Sequence, residues 1–213
     1  MIRALAAAAL FALLSPASAE TVTFGEAPPG ALPASFASAL TGQGRPGRWE
    51  VVEDATAGGG RALAQLDEDR TDYRFPLAVY QPAAPADLEV TIRFKPVSGK
   101  VDQAGGVVVR LVDPNNYYVA RANALEDNVR FYRVVADRRE QLAGANTRVA
   151  GNAWHTLTLR AEGDRFTVSY DGKRLFAATD RTFAQAGRIA LWTKADSVTR
   201  FDRIEIEPLR PGK

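Results

Sequence analysis

The chain has 213 residues, no cysteine and a formal net charge of +2. This length fits one domain, and the lack of cysteine excludes disulfides, thiolate metal sites and cysteine catalysis. The net charge is small and the sequence contains no basic run, which argues against nucleic acid as a partner and against electrostatic attachment to a membrane surface.

The N-terminus has the pattern of a secretory signal peptide. Arg3 precedes an apolar run from Ala4 to Leu14, and Ala17-Ser18-Ala19 is a cleavage signal before Glu20. The run is too short to span a bilayer. We therefore expect residues 1–19 to be removed and the mature protein to be periplasmic or secreted, with no membrane insertion after cleavage.

The next segment, residues 20–47, is rich in Pro, Gly, Ala and Ser and predicts an irregular approach to the core, with one short strand at Thr21–Phe24. Residues 48–209 then form the domain, and residues 210–213 a tail.

Within the domain, apolar residues occupy every second position from Leu88 to Phe94, which is typical of a half-buried strand. Asp171-Gly172 predicts a two-residue hairpin. No ten-residue amphipathic helix is present, and residues 180–186 would hold one turn of helix at most. Other predicted strands are Trp49–Glu53, Arg61–Leu66, Val107–Val112, Tyr117–Ala122, Val129–Val135, Trp154–Arg160, Phe166–Tyr170, Ile189–Thr193 and Val198–Glu207. The pattern predicts an all-β jelly-roll sandwich of two antiparallel sheets.

Two stretches carry more polar and aromatic side chains than strands need: residues 115–128 (NNYYVARANALEDN) and residues 191–202 (LWTKADSVTRFD). Alternation places Arg121 and Asn123 on one side of the first strand, and Trp192 and Lys194 on one side of the second. Because one side of each sheet in a sandwich meets the core, we predict that these side chains line one outward surface.

Such a surface suits a sugar, since an aromatic ring stacks on the pyranose and polar groups bind its hydroxyls. Trp192 and Tyr117 would stack, while Arg121, Asn123 and Lys194 would bind hydroxyls or a carboxylate. For each aromatic residue, a place in the core is the alternative. The predicted binding residues are Arg110, Tyr117, Arg121, Asn123, Tyr132, Trp192 and Lys194.

Catalysis would require a general base, for which the candidates are Glu126 and Asp196, with Lys194 or Arg121 stabilising an oxyanion. Glu126 and its neighbour Asp127 would otherwise cap their loop or pair with nearby arginines. The only histidine, His155, lies on a predicted strand without a G-x-S-x-G motif, which favours a structural role.

Calcium is the one cofactor that the sequence suggests. Residues 113–116 and 123–128 are rich in Asp and Asn oxygens that suit this ion, although the same residue types form turns.

The two stretches, together with residues 102–106 (DQAGG), Tyr132, Trp154-His155 and Gly172, resemble exported bacterial relatives of the 3-keto-disaccharide hydrolase domain family, over residues 32–209. The resemblance implies a concanavalin A-like jelly roll whose concave face meets carbohydrate in relatives. It also implies cleavage of 3-keto glycosides by elimination beside the carbonyl. The E-x-D-x-x-E strand of laminarinase-type glycoside hydrolases is missing, so their paired-acid mechanism is not implied.

Three hypotheses follow: a carbohydrate-binding jelly roll, an enzyme acting on 3-keto glycosides, and a structural or protein-interaction module of the cell envelope. We expect the protein to be a monomer.

Overall fold

The computed structural model describes residues 18–209, which contain fifteen β-strands and no helix. Residues 1–17 of the predicted signal peptide and the predicted tail, 210–213, lie outside the described residues. The strands are β1 (Glu20–Thr23), β2 (Phe36–Gly42), β3 (Trp49–Glu53), β4 (Arg61–Gln65), β5 (Arg74–Ala84), β6 (Leu88–Ser98), β7 (Ala104–Asp113), β8 (Asn116–Asn123), β9 (Asn128–Val135), β10 (Arg138–Asn146), β11 (His155–Glu162), β12 (Arg165–Tyr170), β13 (Lys173–Thr179), β14 (Gly187–Trp192) and β15 (Val198–Pro208).

All strand pairs are antiparallel, and they form two sheets. One sheet has the order β13-β12-β11-β6-β15-β4-β3, with β1 also paired to β15, and the other has the order β10-β9-β8-β7-β14-β5-β2. The predicted all-β jelly-roll sandwich is therefore confirmed. Within residues 18–209 there is also no helix that could cross a membrane.

The main core lies between the two sheets. On β6, Leu88, Val90, Ile92 and Phe94 are fully buried, as their alternation predicts, while the residues between them are partly exposed. The opposing sheet contributes residues such as Tyr118 and Leu191 to the same core. The hairpin between β12 and β13 turns at Asp171-Gly172, and both residues have positive φ as a type I′ turn requires.

The short strand predicted at Thr21–Phe24 is confirmed as β1, which pairs with β15. The rest of residues 20–47 is not all irregular as predicted, because β2 forms an edge of the seven-stranded sheet by pairing with β5. β5 was also missed because Pro76 and Pro82 interrupt it, and prolines normally argue against an interior strand. No helical turn forms at residues 180–186.

Candidate functional site

The two polar and aromatic stretches contribute to the same face of the seven-stranded sheet. Gly106 on β7 pairs with Arg121 on β8 and with Trp192 on β14, so only one strand separates them. The alternate residues, including Tyr118 and Leu191, point into the main core. The predicted strand phase is thus correct in both stretches.

The face of the seven-stranded sheet that carries Arg121 and Trp192, opposite the main core, is strongly curved. In a flat sheet, β9 and β5 would lie about 19 Å apart, because four spacings of about 4.8 Å separate them. However, Tyr73, which precedes β5, donates its hydroxyl to the carbonyl of Asp137 in the turn after β9. The guanidinium of Arg139 on β10 lies 4.8 Å from the ring centroid of Phe75 on β5. We call this face the concave face.

A second hydrophobic cluster fills the concave face. Trp192 is 0% exposed and stacks on Phe75 with 5.4 Å between ring centroids. Arg139 covers this cluster from the solvent side, with its guanidinium 4.5 Å from the ring centroid of Tyr132 as well. The buried members are Phe75, Leu77, Val79, Ala104, Val108, Leu111, Tyr117, Val119, Tyr132, Val134, Ala190 and Trp192.

A network of polar side chains borders this cluster at the end of β8. We call it the polar rim, and it comprises Asp72, Asp102, Arg121, Asn123, Glu126, Asn128, Tyr132 and Lys194.

Arg121 organises the first half of the polar rim. It donates to Glu126 Oε2 at 2.8 Å, to the Tyr132 hydroxyl at 3.2 Å and to Asn128 Oδ1. Asn128 Nδ2 also donates to Glu126 Oε2, at 3.1 Å. The tight loop between β8 and β9 makes this possible, because Asn123 Oδ1 accepts the backbone N–H groups of Leu125 and Glu126 and turns the chain back.

Asp102 and Lys194 form the second half. Lys194 Nζ lies 3.0 Å from Asp102 Oδ2 and 2.7 Å from Asp72 Oδ1. Asn123 Nδ2 donates to the other oxygen of Asp102 at 2.8 Å. Asp102 is buried, whereas the Asp72 side chain is 75% exposed.

The surroundings of the polar rim favour the charged forms of Glu126 and Lys194 but not that of Asp102. Partial burial acts to raise the pKa of Glu126, but the charge of Arg121, hydrogen bonds from Asn128 and Arg121 and the charge of Lys194 lower it below its usual value. Burial acts to lower the pKa of Lys194, yet Asp72 and Asp102 raise it. Burial raises the pKa of Asp102 despite the opposing charge of Lys194.

The chain is similar in sequence to one known family of proteins. The family model for the galactocerebrosidase C-terminal lectin domain matches residues 93–209, which is 117 of the 213 residues and more than half of the chain. The chain belongs to this lectin-domain family. The matched segment of the lectin domain holds every member of the polar rim except Asp72.

Solved structures share the fold of this lectin domain. The carbohydrate binding module CBM66 from Bacillus subtilis matches with a TM-score of 0.64 and 20% identity, over 82% of this chain and 97% of that chain. The Bacillus licheniformis beta-glucanase matches with a TM-score of 0.60 and 12% identity, over 92% and 100%. Domain 4 of AbnA, an extracellular arabinanase from Geobacillus stearothermophilus, matches with a TM-score of 0.58 and 12% identity, over 88% and 90%. Among curated proteins, none matches the chain.

The predicted stacking residues of the lectin domain lie beneath the surface. Trp192 and Tyr117 are both 0% exposed, so neither ring is available to a ligand. Tyr117 instead forms a hydrogen bond of 2.9 Å with Thr41, and burial raises its pKa to about 12. The core alternative holds for both residues, since the sheet curves enough to enclose them.

Two other predicted residues lie apart from the polar rim. Arg110 sits at an irregularity in β7 with φ 50° and points toward the opposite sheet, where its guanidinium lies 5.1 Å from the Phe166 ring centroid. The carboxylate of Asp196 is buried and accepts the backbone N–H groups of Lys100, Val101 and Asp102. These contacts assign both side chains to holding loops in place and contradict the predicted surface role of Arg110 and the predicted catalytic role of Asp196.

Five predicted residues do meet: Arg121, Asn123, Glu126, Tyr132 and Lys194. Sequence reasoning missed Asp72, Asp102, Asn128, Tyr73 and Arg139. Asn128 and Asp102 fall in segments that were singled out. Tyr73 and Arg139 reach the concave face through its curvature, and Asp72 meets Lys194 because β5, which follows Asp72, lies beside β14.

Two of the carboxylates considered for calcium accept hydrogen bonds from the backbone. Asp113 Oδ1 accepts the backbone N–H of Asn115, and Asp127 Oδ1 accepts that of Val149. Over residues 18–209, no group of three or more acidic or histidine side chains is arranged to hold a metal. Calcium binding stays a prediction, which thermal unfolding with and without a chelator tests.

Proposed function

We propose that this lectin domain binds carbohydrate through the polar rim. The observation that carries the proposal is the exposed carboxylate of Glu126, 46% exposed, which Arg121 and Asn128 hold in one orientation. Sugar hydroxyls bind well to such fixed acceptors because the protein side chain loses little freedom on binding. Family membership supports the proposal, as does the fold shared with a carbohydrate binding module and with an arabinanase domain solved with arabinotriose.

The proposal needs an aromatic surface, and Tyr73 offers one in place of Trp192 and Tyr117. Tyr73 adjoins Asp72 in the chain and is 38% exposed. Its hydroxyl is anchored to Asp137, and its ring packs edge-on against Phe75 with 4.8 Å between centroids. A fixed and partly exposed ring that follows Asp72 in the chain suits the C–H face of a pyranose.

Binding to a glycan array, followed by calorimetry with the best ligand, tests this proposal. We expect Glu126→Gln to weaken binding about fivefold, since it loses one charge-assisted hydrogen bond. Glu140→Gln is the matched control, because Glu140 is an exposed carboxylate that pairs with Arg133 away from the polar rim. If no glycan binds, the proposal fails and a structural or protein-interaction module of the cell envelope becomes the better hypothesis.

We further propose, as a second candidate, that Glu126 acts on 3-keto glycosides, as the resemblance to the 3-keto-disaccharide hydrolase family implies. Glu126 would take the proton from C2, and the electron pair of that bond would form an enolate at C3 whose oxyanion faces Lys194 or Arg121. When the carbonyl re-forms, the C1–O bond breaks and the aglycone leaves, taking a proton from water. Binding ranks first because the lowered pKa of Glu126 makes it a weak base.

Release of aglycone from a 3-keto glucoside decides the second candidate. We expect release that Glu126→Gln abolishes and Glu140→Gln leaves unchanged. Release at the background rate would remove catalysis and leave the binding proposal standing.

We also propose that the protein is exported as a monomer. The support for export is the sequence of residues 1–19 together with strand β1, which begins at Glu20 and whose first side chain hydrogen-bonds to Tyr80. A mature N-terminus at Glu20 in the periplasmic fraction or the medium, and the mass of one chain in solution, are the expected results.

A further inference from the structure

The cations of the polar rim are already neutralised. The Arg121 side chain is 6% exposed and paired with Glu126, and the Lys194 side chain is 13% exposed and paired with both Asp102 and Asp72. A ligand anion would have to displace a protein carboxylate from either cation, and it would gain little in exchange.

The members of the polar rim that reach solvent are hydrogen-bond acceptors, and the neighbouring cation, Arg139, lies over the rings of Phe75 and Tyr132. Arg121 and Asn128 both donate to Glu126 Oε2, and within the described part of the chain Oε1 has no hydrogen-bond partner on a side chain that is 46% exposed. Lys194 binds Asp72 Oδ1, which likewise leaves Oδ2 at an exposed position. The exposed carboxylates of the polar rim therefore carry negative charge, and its three carboxylates against two cations give the rim one net negative charge.

From this arrangement we infer that the polar rim selects sugars without negative charge, and this inference rests on the proposed carbohydrate binding. Sugar hydroxyls donate to Glu126 Oε1 and Asp72 Oδ2, and an amino group in place of a hydroxyl donates equally well. A uronic acid or a sulfated sugar brings an anion against these two carboxylates, where like charges oppose binding. The ligand class is therefore neutral or amino-bearing glycans.

The test uses the mature chain and two matched sets of monosaccharides: glucose, glucosamine and glucuronate, and galactose, galactosamine and galacturonate. Calorimetry at low salt and at 0.15 M salt gives the affinity of each sugar. In the set that binds, we expect the uronate to bind at least about tenfold more weakly than the neutral sugar at low salt. The difference should narrow as salt screens the two carboxylates.

The double variant Asp72→Asn, Glu126→Gln removes both exposed charges with little change in shape. The double variant should reduce the difference in affinity between the neutral sugar and the uronate, while Glu140→Gln should leave that difference unchanged. Circular dichroism and thermal unfolding of each variant establish that it is folded.

Each outcome bears on the inference. A uronate that binds as tightly as the neutral sugar, or a double variant that leaves the difference intact, overturns the charge selectivity but not carbohydrate binding. If none of the six sugars binds and no glycan on the array binds, the proposed function is removed, and the inference with it.

Discussion

Asn123 and Lys194 bind the two oxygens of one buried carboxylate. Asn123 Nδ2 donates to Asp102 Oδ1 at 2.8 Å, and Lys194 Nζ lies 3.0 Å from Oδ2. Asp102 precedes β7, and its partners come from β8 and from the segment after β14, so this contact ties three adjacent strands together at one end of the sheet.

Replacing Asp102 with Asn should therefore cost stability. The amide keeps the shape but has one acceptor oxygen where two are needed, and we expect a loss of about 1–3 kcal/mol in the free energy of unfolding by urea. Asp72→Asn is the control, since its exposed pair with Lys194 should contribute less than about 1 kcal/mol. Equal losses in the two variants would contradict this assignment.

Trp192 supports the fold rather than a ligand. Because the indole is fully buried against Phe75, Trp192→Ala should lower the free energy of unfolding by about 3–5 kcal/mol. Trp192→Phe, which leaves a smaller cavity, should cost less. A stable Trp192→Ala protein that had lost only its sugar binding would show instead that the indole meets the ligand.

Arg110 connects four segments. Its guanidinium donates to the carbonyls of Ala86, Phe183 and Gly163 and to the carboxylate of Asp87, at 2.8–3.2 Å. A lysine has the charge but not the planar fork of donors, so Arg110→Lys should destabilise the domain by about 3 kcal/mol. Calorimetry on the folded variant should give an unchanged affinity for sugar. Weakened binding would show that Arg110 contributes to the binding site after all.

The carboxylate of Asp196 should make stability fall in acid. Burial acts to raise the pKa of Asp196, but hydrogen bonds from the backbone N–H groups of Lys100, Asp102 and Val101 lower it below its usual value. Because the unfolded chain then binds the proton more tightly than the folded chain, this contribution is present above the usual carboxyl pKa and is lost as the pH falls through the folded value.

Asp196→Asn should accordingly be less stable than the wild type at neutral pH, by about 1–3 kcal/mol, with a smaller difference near pH 3. Urea unfolding at both pH values measures this, and Glu207→Gln, at an exposed position, is the control. A difference that does not change with pH would show that the carboxylate charge contributes nothing.

The strand phase of β8 and β14 could be predicted from the sequence because alternation is a local property. Alternation places Tyr118 and Leu191 together on one side of the sheet, which faces the core, and places Arg121 and Trp192 together on the other side. The loop that joins β8 to β9 was likewise recognisable, since Asn123 and Glu126 are close in the chain.

The burial of Trp192 could not be predicted in this way. It depends on the curvature of the sheet and on Arg139, which comes from the polar edge strand β10 and covers Phe75 from the far side. Neither the curvature nor β10 leaves a periodic pattern in the sequence. The place of Asp72 in the polar rim could not be predicted for a different reason: it depends on β5, which follows Asp72 and pairs with β14, and the prolines in β5 hide that strand in the sequence.

The filled concave face has a consequence for the dynamics of the protein. Strands β7, β8 and β14 have hydrophobic clusters on both of their faces and hydrogen-bonded neighbours on both of their edges. Their backbone amides should exchange with deuterium only when the whole domain opens, whereas amides of the edge strands β10 and β13 should exchange by local fraying. The slowest-exchanging amides should therefore come from the centre of this sheet.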